Sequence, residues 1–506
     1  MPTHPGTVFL AGAGPGDPGL LTVRAAELLH SCDCVVYDYL VNPEIIERIP
    51  STTERHFVGK RGGRSSCSQD DINALLISLA QSHRRILRLK GGDPFLFGRG
   101  GEEALALAEA GVPFAVIPGV TAGIGAPAYA GIPVTHRAAS SVVAFATGHQ
   151  AKGEIEDLDW AGLARTETVV LYMGMHKLAY NCEQLITHGR NKDTPACAIQ
   201  WGSYGRQRVV VGTLATLPEL AKAANLGAPA ITVIGDVVSY REKIRWFDNR
   251  PLSGRRVVVT RSRDQASDLA DALADAGAEV VTAPVARQEP PIDWGALDHA
   301  LQHLSSFAWV VFTSANAVRF TCDRLMAIGL DARAFSHCRI AVIGPGTSAH
   351  LARYGLRADL IPDHFDAAAL GQALIAQTKT SPSVLLPQAD NARVMLRQQL
   401  QSAGCTVTTA EAYRTIAVPF TLDLELPVDA VTFASSATVE RFIAGLGAEQ
   451  IAALTARGCR YYAIGAQTAE TMTARGLPIA AIAAEATIPA LVQAVVSDLG
   501  PLKVTL

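Results

Sequence analysis

Five short apolar runs in the first half of the sequence each end in a loop rich in glycine or charged residues. They lie at 7–11, 35–37, 56–58, 86–89 and 114–117. Helical apolar spacing follows the first run, over 20–31, and strands that alternate with helices predict an α/β layer. Ligands bind such open sheets beyond the carboxyl ends of the strands. The sequence therefore predicts a ligand site built from these five loops.

The first loop, GAGPGDPG at 12–19, differs from a dinucleotide-binding fingerprint. Its glycines permit a tight turn and let a ligand approach main-chain N–H groups. However, Asp17 stands where the fingerprint requires glycine, and Pro15 and Pro18 each lack an N–H donor. Taken alone, the loop is compatible either with a ligand site or with a simple turn.

Composition limits the class of protein. A chain of 506 residues is expected to form about two to four domains. A net charge of −3 argues against a dedicated nucleic-acid surface. We expect no membrane span, because no apolar run approaches about 20 residues, and the start of the sequence lacks a secretory pattern. Nine scattered cysteines fit free thiols, so a soluble cytoplasmic protein is expected.

The sequence divides near 246–254, a stretch without apolar periodicity, and the part that follows contains an internal repeat. Two pairs of segments are similar at an offset of 121 residues, and a third pair is a weaker echo: 311–320 with 432–442, 343–348 with 464–469, and 255–281 with 383–408. The second half is therefore predicted to contain two similar α/β lobes in one duplicated domain.

Each strong repeat is a strand followed by Ser, Thr or Gly and then a helix. Such residues cap helix N-termini, which also attract anions through free N–H groups and the helix dipole. Either role is open for any single position. Four such ends facing one another would form a cleft suited to a polycarboxylate. This half of the sequence contains no metal-ligand motif, nucleophile elbow or P-loop.

The first half resembles the tetrapyrrole methylase family, most closely its uroporphyrinogen-III C-methyltransferases, over about residues 6–248. The motifs are VGKRGG, LKGGDPFLFGRGGEE, PGVTAG, AGIPVTHR, TGH and YMG. The resemblance implies a two-lobed methylase domain over 1–248 that binds S-adenosylmethionine between its lobes, with no metal expected. The implied cofactor contacts are Pro15, Gly91, Gly92, Asp93, Leu96, Thr121, Ala122, Met173 and Gly202.

The resemblance also implies acid–base roles, with Asp38 as proton acceptor and Lys60 as proton donor. The alternatives are that Asp38 caps the following helix and that Lys60 is a solvated cation. Cations that could pair with substrate carboxylates are Lys60, Arg61, Arg64, His136 and Arg137. The family further implies a homodimer formed through this half.

The second half resembles uroporphyrinogen-III synthase over about residues 254–498, and we expect the domain to span 254–506. FTSANAV, AVIGPGTS, IPDHFDAAAL, AYRT and AIGAQTA occur in the family's order. The implied fold has two lobes joined by a two-stranded ladder, with 286–412 as the middle lobe. Tyr413 matches a candidate general acid, or is simply a half-buried aromatic. The implied substrate contacts are Thr313, Ser314, Ser435, Ser436, Gln467 and Thr468. At 387–393 the chain departs from the family's loop, although Arg393 matches its arginine.

Together the resemblances imply a bifunctional enzyme of tetrapyrrole biosynthesis. It would cyclise hydroxymethylbilane to uroporphyrinogen III and methylate this product twice, giving precorrin-2 for the sirohaem and cobalamin branch. One alternative is a methylase with another substrate. Another is a C-methyltransferase whose second half is a non-catalytic tetrapyrrole-binding regulatory module.

Overall fold

A computed structural model describes nine ranges of the chain: 6–50, 52–59, 67–148, 158–260, 263–377, 382–390, 392, 394–424 and 426–501. Within these residues the chain forms four five-stranded sheets, two in each half. Helices connect the strands of every sheet, so the predicted α/β class is confirmed. No helix in the described ranges is long and apolar enough to cross a membrane.

The first sheet is entirely parallel, with strand order β3-β2-β4-β1-β5. Its strands are β1 (Thr7–Gly12), β2 (Cys34–Tyr37), β3 (Glu54–Phe57), β4 (Arg85–Lys90) and β5 (Phe114–Ile117). Its helices are α1 (Val23–Ser31), α2 (Pro43–Glu47), α3 (Gln69–Ser82), α4 (Gly100–Glu109) and α5 (Ala122–Tyr129). The helix expected over 20–31 begins at Val23, because the Thr22 side chain accepts the Ala25 N–H and caps it.

The second sheet is mixed, with order β6-β7-β10-β8-β9. Its strands are β6 (Val143–Thr147), β7 (Thr168–Tyr172), β8 (Pro195–Gln200), β9 (Arg208–Thr213) and β10 (Ala230–Ile234). Its helices are α6 (Trp160–Arg165), α7 (Leu178–Thr187), α8 (Leu217–Ala223) and α9 (Arg241–Ile244). The helix α5 and strands β7, β8 and β10 share one apolar core, which joins the two lobes of this half.

The third sheet has the order β12-β11-β18-β19-β20 and is parallel. Its strands are β11 (Arg256–Val259), β12 (Glu279–Thr282), β18 (Ala430–Phe433), β19 (Arg460–Ala463) and β20 (Ala481–Ile482). Its helices are α10 (Arg263–Asp275), α16 (Ser436–Leu446), α17 (Ala448–Ala456), α18 (Ala466–Ala474) and α19 (Ile488–Leu499). The chain therefore leaves this lobe after β12 and returns to it at β18.

The fourth sheet, built from the intervening residues, has the order β13-β17-β16-β14-β15. Its strands are β13 (Ala286–Glu289), β14 (Trp309–Phe312), β15 (Arg339–Val342), β16 (Ser383–Ala389) and β17 (Thr406–Ala417). Its helices are α11 (Gly295–Gln302), α12 (Ala315–Ala327), α13 (Pro345–Ala352), α14 (Ala367–Gln377) and α15 (Met395–Ser402). Strand β13 pairs antiparallel with the end of the long β17, and this pair is the expected two-stranded ladder between the lobes.

The internal repeat is confirmed element by element. Strands β14 and β15 and helices α12 and α13 begin 121 residues before β18, β19, α16 and α18 respectively. The weaker echo pairs β11 with β16. The four matched strands occupy the same order in both sheets, β12-β11-β18-β19 and β17-β16-β14-β15.

The segment at the sequence division is packed rather than extended between the halves. Phe247 and Leu252 are buried, at 3% and 0% exposed. The Gly254 N–H donates to the Gly205 carbonyl at 3.1 Å, so the segment is tied back to the first half. The Thr282 hydroxyl donates to Glu47 at 3.1 Å, which adds a direct contact between the halves.

Candidate functional site

A cavity of about 460 Å³ lies between the two lobes of the first half, beyond the carboxyl ends of β1 and β4. This volume falls in the range of small-molecule pockets, about 300–1,000 Å³. Every residue expected to contact the cofactor lines it: Pro15, Gly91, Gly92, Asp93, Leu96, Thr121, Ala122, Met173 and Gly202. The tertiary structure therefore brings together residues that are scattered over almost 190 positions of the sequence.

Glycines form the floor of this cavity because two loops cross it in close contact. Gly92 adopts a φ of +70° and exchanges backbone hydrogen bonds with Gly14, at 2.7 and 3.2 Å. A Cβ added at Gly12 would overlap the backbone of Gly92 and Gly119. The first loop is therefore part of a ligand cavity as well as a turn.

Asp93 joins two of the loops. Its Oδ1 accepts the N–H groups of Phe95 and Leu96 at 2.8 and 3.0 Å, and its Oδ2 accepts the Gly119 N–H at 3.0 Å. The family resemblance implied that Asp93 contacts the cofactor. In the structure both oxygens already accept backbone hydrogens, so Asp93 shapes the cavity wall as well as lining it.

We expect Asp93→Asn to weaken S-adenosylmethionine binding by about tenfold, because an amide offers one acceptor oxygen where two are in use and leaves a backbone donor unpaired. Calorimetric titration with S-adenosylhomocysteine measures this loss. Asp159→Asn is the matched control, since the Asp159 carboxylate also accepts a backbone N–H but lies outside the cavity lining. Equal affinity of Asp93→Asn and the unsubstituted protein would contradict the assigned role.

Tyr172, from the second lobe, closes the cavity against the first. Its hydroxyl lies 2.7 Å from both the Thr121 hydroxyl and the Gly123 N–H. Burial raises the pKa of the Tyr172 phenol. Next to it, Met173 has a φ of +54° and is 53% exposed, so its side chain stands at the open side of the cavity.

A second cavity of about 490 Å³ adjoins the first and contains Asp38. The two cavities share a wall made of Leu40, Gly91, Phe97 and Gly98. Asp38 Oδ1 accepts the Leu40 N–H at 3.1 Å, while Oδ2 lies 3.7 Å from Arg88 Nη2. The bond to Leu40 forms a local turn at the end of β2, and the carboxylate still faces the cavity. The alternative that Asp38 caps the following helix is wrong, because Asn42 caps α2 by accepting the Glu44 N–H at 2.9 Å.

A buried charge cluster beneath Asp38 was missed by the sequence analysis. The Glu103 carboxylate is fully buried, and its Oε1 lies 2.6 Å from Lys90 Nζ and 3.2 Å from Arg88 Nε. Burial and the neighbouring Arg88 lower the pKa of Lys90. Arg88 and Lys90 stand at alternate positions of an apolar strand, so both side chains lie on one face of the sheet. This spacing is the feature of the sequence that could have predicted the cluster.

The structure describes only two of the five suggested substrate-binding cations, His136 and Arg137. Lys60, Arg61 and Arg64 are outside the described residues. His136 packs against the Tyr240 ring at 4.1 Å, and neither His136 nor Arg137 lines the two cavities.

One group of potential metal ligands occurs among the described residues. Atoms of Cys34, Glu54 and His56 lie within 4.8 Å of one another. Glu54 already pairs with His56 at 2.6 Å and with His83 at 3.0 Å, and desolvation by burial raises the Cys34 pKa to about 12. The Glu54 carboxylate thus already has two imidazole partners, and none of the three potential ligands lines either cavity.

In the second half, the Tyr413 hydroxyl lies 3.1 Å from the Ser314 hydroxyl. Ser314 also caps α12 by accepting the Ala317 N–H at 3.0 Å. The Tyr413 ring is 8% exposed and stacks on Phe320 at 5.5 Å between centroids. Burial raises the pKa of the phenol, opposed by the hydrogen bond with Ser314, so Tyr413 remains protonated at neutral pH.

The other expected substrate residues lie at the ends of corresponding strands. Thr313 follows β14 beside Ser314. Ser435 caps α16 by accepting the Thr438 N–H at 3.3 Å, and the Ser436 hydroxyl donates to the Gln467 carbonyl at 3.1 Å. Thr468 is buried in α18. Among the described residues, these contacts form one group in each lobe, and no hydrogen bond joins the groups. Arg393 lies outside the described residues.

Each half of the chain matches one known family. A family described as tetrapyrrole (corrin/porphyrin) methylases matches residues 7–218, and one described as uroporphyrinogen-III synthase HemD matches 267–493. The porphyrin biosynthesis protein HemD of Ruminiclostridium josui is 36% identical over 89% of this chain and 91% of its own. The chain therefore belongs to the family of porphyrin biosynthesis proteins that join a tetrapyrrole methylase to a uroporphyrinogen-III synthase domain.

Two further relatives are named as C-methyltransferases. The uroporphyrinogen-III C-methyltransferase of Bacillus subtilis is 43% identical over 62% of this chain and 64% of its own. A crystal structure of uroporphyrin-III C-methyltransferase from Thermus thermophilus, complexed with S-adenosylhomocysteine, is 36% identical over 46% of this chain and 99% of its own, with a TM-score of 0.41. The two family matches together give the chain a methyltransferase architecture followed by a synthase-like architecture.

Proposed function

We propose that residues 1–248 transfer two methyl groups from S-adenosylmethionine to uroporphyrinogen III, and that residues 254–506 make that substrate from hydroxymethylbilane. Precorrin-2 would be the product. The observation that carries the proposal is the pair of adjoining cavities in the first half. One is lined by every expected cofactor contact and the other contains Asp38.

The first cavity fits an extended cofactor with a polar end. Its glycine floor leaves space close to the backbone, and apolar side chains such as Ile199 and Ile231 form much of its lining. S-adenosylmethionine would supply a methyl group activated by its positively charged sulfur. Pro15, the Gly91–Asp93 loop, Thr121, Ala122 and Gly202 would hold it, and the shared wall would orient the methyl group towards the second cavity.

Methylation forms a carbon–carbon bond from a pyrrole carbon to the methyl group while the carbon–sulfur bond breaks. The positive charge would pass from the sulfur to the tetrapyrrole, which would keep it until it loses a proton. Asp38 would accept that proton, and the resemblance assigns Lys60 as a donor. Holding the reacting atoms in line supplies most of the rate acceleration.

In the second half, cyclisation requires the hydroxyl group of hydroxymethylbilane to leave as water. The protonated Tyr413 phenol would donate the proton, and Thr313, Ser314, Ser435, Ser436, Gln467 and Thr468 would bind carboxylates or pyrroles.

The family resemblance also supports a homodimer formed through the first half. Light scattering measures this oligomeric state.

A single assay tests both activities. Purified protein is supplied with hydroxymethylbilane and labelled S-adenosylmethionine, and we expect a dimethylated type III product. Methylation only when uroporphyrinogen III is supplied would make the second half a binding module. Absence of methyl transfer to any tetrapyrrole would overturn the proposal.

A further inference from the structure

The loop at 201–206 connects the cofactor cavity with the second half of the chain. Trp201, Gly202 and Tyr204 line the cavity. Trp201 and Ser203 have φ values of +49° and +70°, a conformation that is unfavourable for residues with a side chain. The shape of this wall therefore depends on contacts made outside the loop.

The first half supplies some of these contacts. The Ser203 N–H donates to Gln207 Oε1 at 2.9 Å, and the Ser203 hydroxyl accepts the Asp17 N–H at 3.0 Å. Both bonds hold Ser203, at the centre of the loop. Gly205 and Arg206, at the end of the loop, are instead contacted by residues of the second half.

The second half contacts the end of the loop through a hydrogen bond, a close backbone approach and an ion pair. The Gly254 N–H donates to the Gly205 carbonyl at 3.1 Å, and a Cβ added at Gly205 would overlap the backbone of Ala278 and Glu279. Arg206 Nη1 lies 3.2 Å from Glu279 Oε1, with the two side chains 25% and 15% exposed. The ion pair is thus partly removed from solvent and crosses between the halves.

Arg206 also contacts two aromatic residues of the cavity wall. Its guanidinium carbon lies 4.0 Å from the centroid of the Trp201 ring and 5.2 Å from that of Tyr204. Cation–π contacts of this kind fix the orientation of both components. A continuous chain of contacts therefore runs from Glu279 through Arg206 to two aromatic residues that line the cavity.

We propose that Glu279, in the synthase half, is a positioning residue for the cofactor cavity of the methylase half. It holds Arg206 over Trp201 and Tyr204, and so increases the affinity of the cavity for S-adenosylmethionine. The inference rests on the proposed function, because it assumes the cofactor assigned there. Since coupling between sites is reciprocal, cofactor binding also strengthens the contact between the halves.

The test uses the full chain and S-adenosylhomocysteine as the calorimetric ligand. For Glu279→Gln we expect affinity to fall about three- to tenfold, as for loss of a partly buried charge pair. The KM for S-adenosylmethionine rises by the same factor, and kcat at saturation is unchanged. Arg206→Lys keeps the charge but loses the planar stacking group, so it also weakens binding. Glu279→Gln combined with Arg206→Gln binds no more weakly than Arg206→Gln alone.

Asp298→Asn is the matched control. It alters an ion pair of similar exposure within the middle lobe, where Asp298 lies 2.6 Å from Arg324, and leaves cofactor affinity unchanged. Unchanged affinity in Glu279→Gln overturns the coupling but leaves the proposed function intact. So does an additive loss in the double variant, or a loss equalled by Asp298→Asn. Failure of the unsubstituted protein to bind S-adenosylhomocysteine overturns the proposed function and the coupling together.

Discussion

Asp38→Asn is expected to reduce the rate of methyl transfer by about 100-fold or more, the usual contribution of a positioned proton acceptor. The amide keeps the size and the turn-forming oxygen of Asp38 but cannot accept the proton that the methylated tetrapyrrole must lose. Affinity for S-adenosylhomocysteine should be unchanged, because Asp38 lines the second cavity and not the first. The measurements are kcat at saturating cofactor and calorimetric affinity.

Asp33→Asn provides the control at the opposite end of the same strand. The Asp33 carboxylate accepts the N–H groups of Arg84 and Arg85 at 2.9 and 3.0 Å, far from the cavities. It should leave kcat unchanged. A rate for Asp38→Asn within twofold of the unsubstituted protein would remove Asp38 from the mechanism, and a parallel loss of cofactor binding would indicate a collapsed site.

Tyr413→Phe is expected to slow cyclisation of hydroxymethylbilane by about 100-fold, again the scale of general acid catalysis. Phenylalanine can keep the stacking contact with Phe320 but has no proton to donate to the leaving hydroxyl. Methylation of supplied uroporphyrinogen III should continue at the original rate. The type III product formed per unit time measures the first effect, and labelled methyl incorporation the second.

Tyr461→Phe is the matched control for this substitution. Tyr461 is also a buried tyrosine, and its hydroxyl lies 3.0 Å from the Thr455 hydroxyl in the other lobe. Tyr413→Phe loses one hydrogen bond, at a stability cost of about 1 kcal/mol. Tyr461→Phe loses the bond with Thr455 and a longer one to the Ile451 carbonyl at 3.5 Å, so the control is destabilised at least as much. Equal slowing of cyclisation in the two variants, or a loss of both activities in Tyr413→Phe, would point to destabilisation instead of proton transfer.

The sequence predicted the fold well because its signals were local. The apolar runs that end in GAGPGDPG, KGGDP and PGVTAG each contain a strand and the turn that follows it, so neighbouring residues alone specify them. The repeat at 121 residues similarly predicted two lobes of equal strand order. The predicted start of α1 was wrong, because the prediction overlooked Thr22, whose side chain caps the helix by accepting the N–H three residues later.

The sites were predicted less completely. Cofactor contacts were found through family motifs, and they meet in one cavity. Glu103 was overlooked because an acidic residue in the first turn of a helix ordinarily serves the helix dipole, whereas here it is buried between two cations. The role of Glu103 depends on Arg88 and Lys90, which belong to strand β4 and not to the helix that contains Glu103.

The sequence by itself determined two unlike α/β halves, the duplication within the second and the residue types available at the strand ends. These follow from apolar periodicity, glycine placement and repeated motifs, all readable over short distances. Only the tertiary structure decided that Asp93 ties two loops together and that Tyr413, 99 residues from Ser314, shares a hydrogen bond with it. It alone placed Glu279 against Arg206. Such pairs form where packed helices and strands bring together side chains that are far apart in the sequence. The spatial distance between two such side chains cannot be read from the sequence alone.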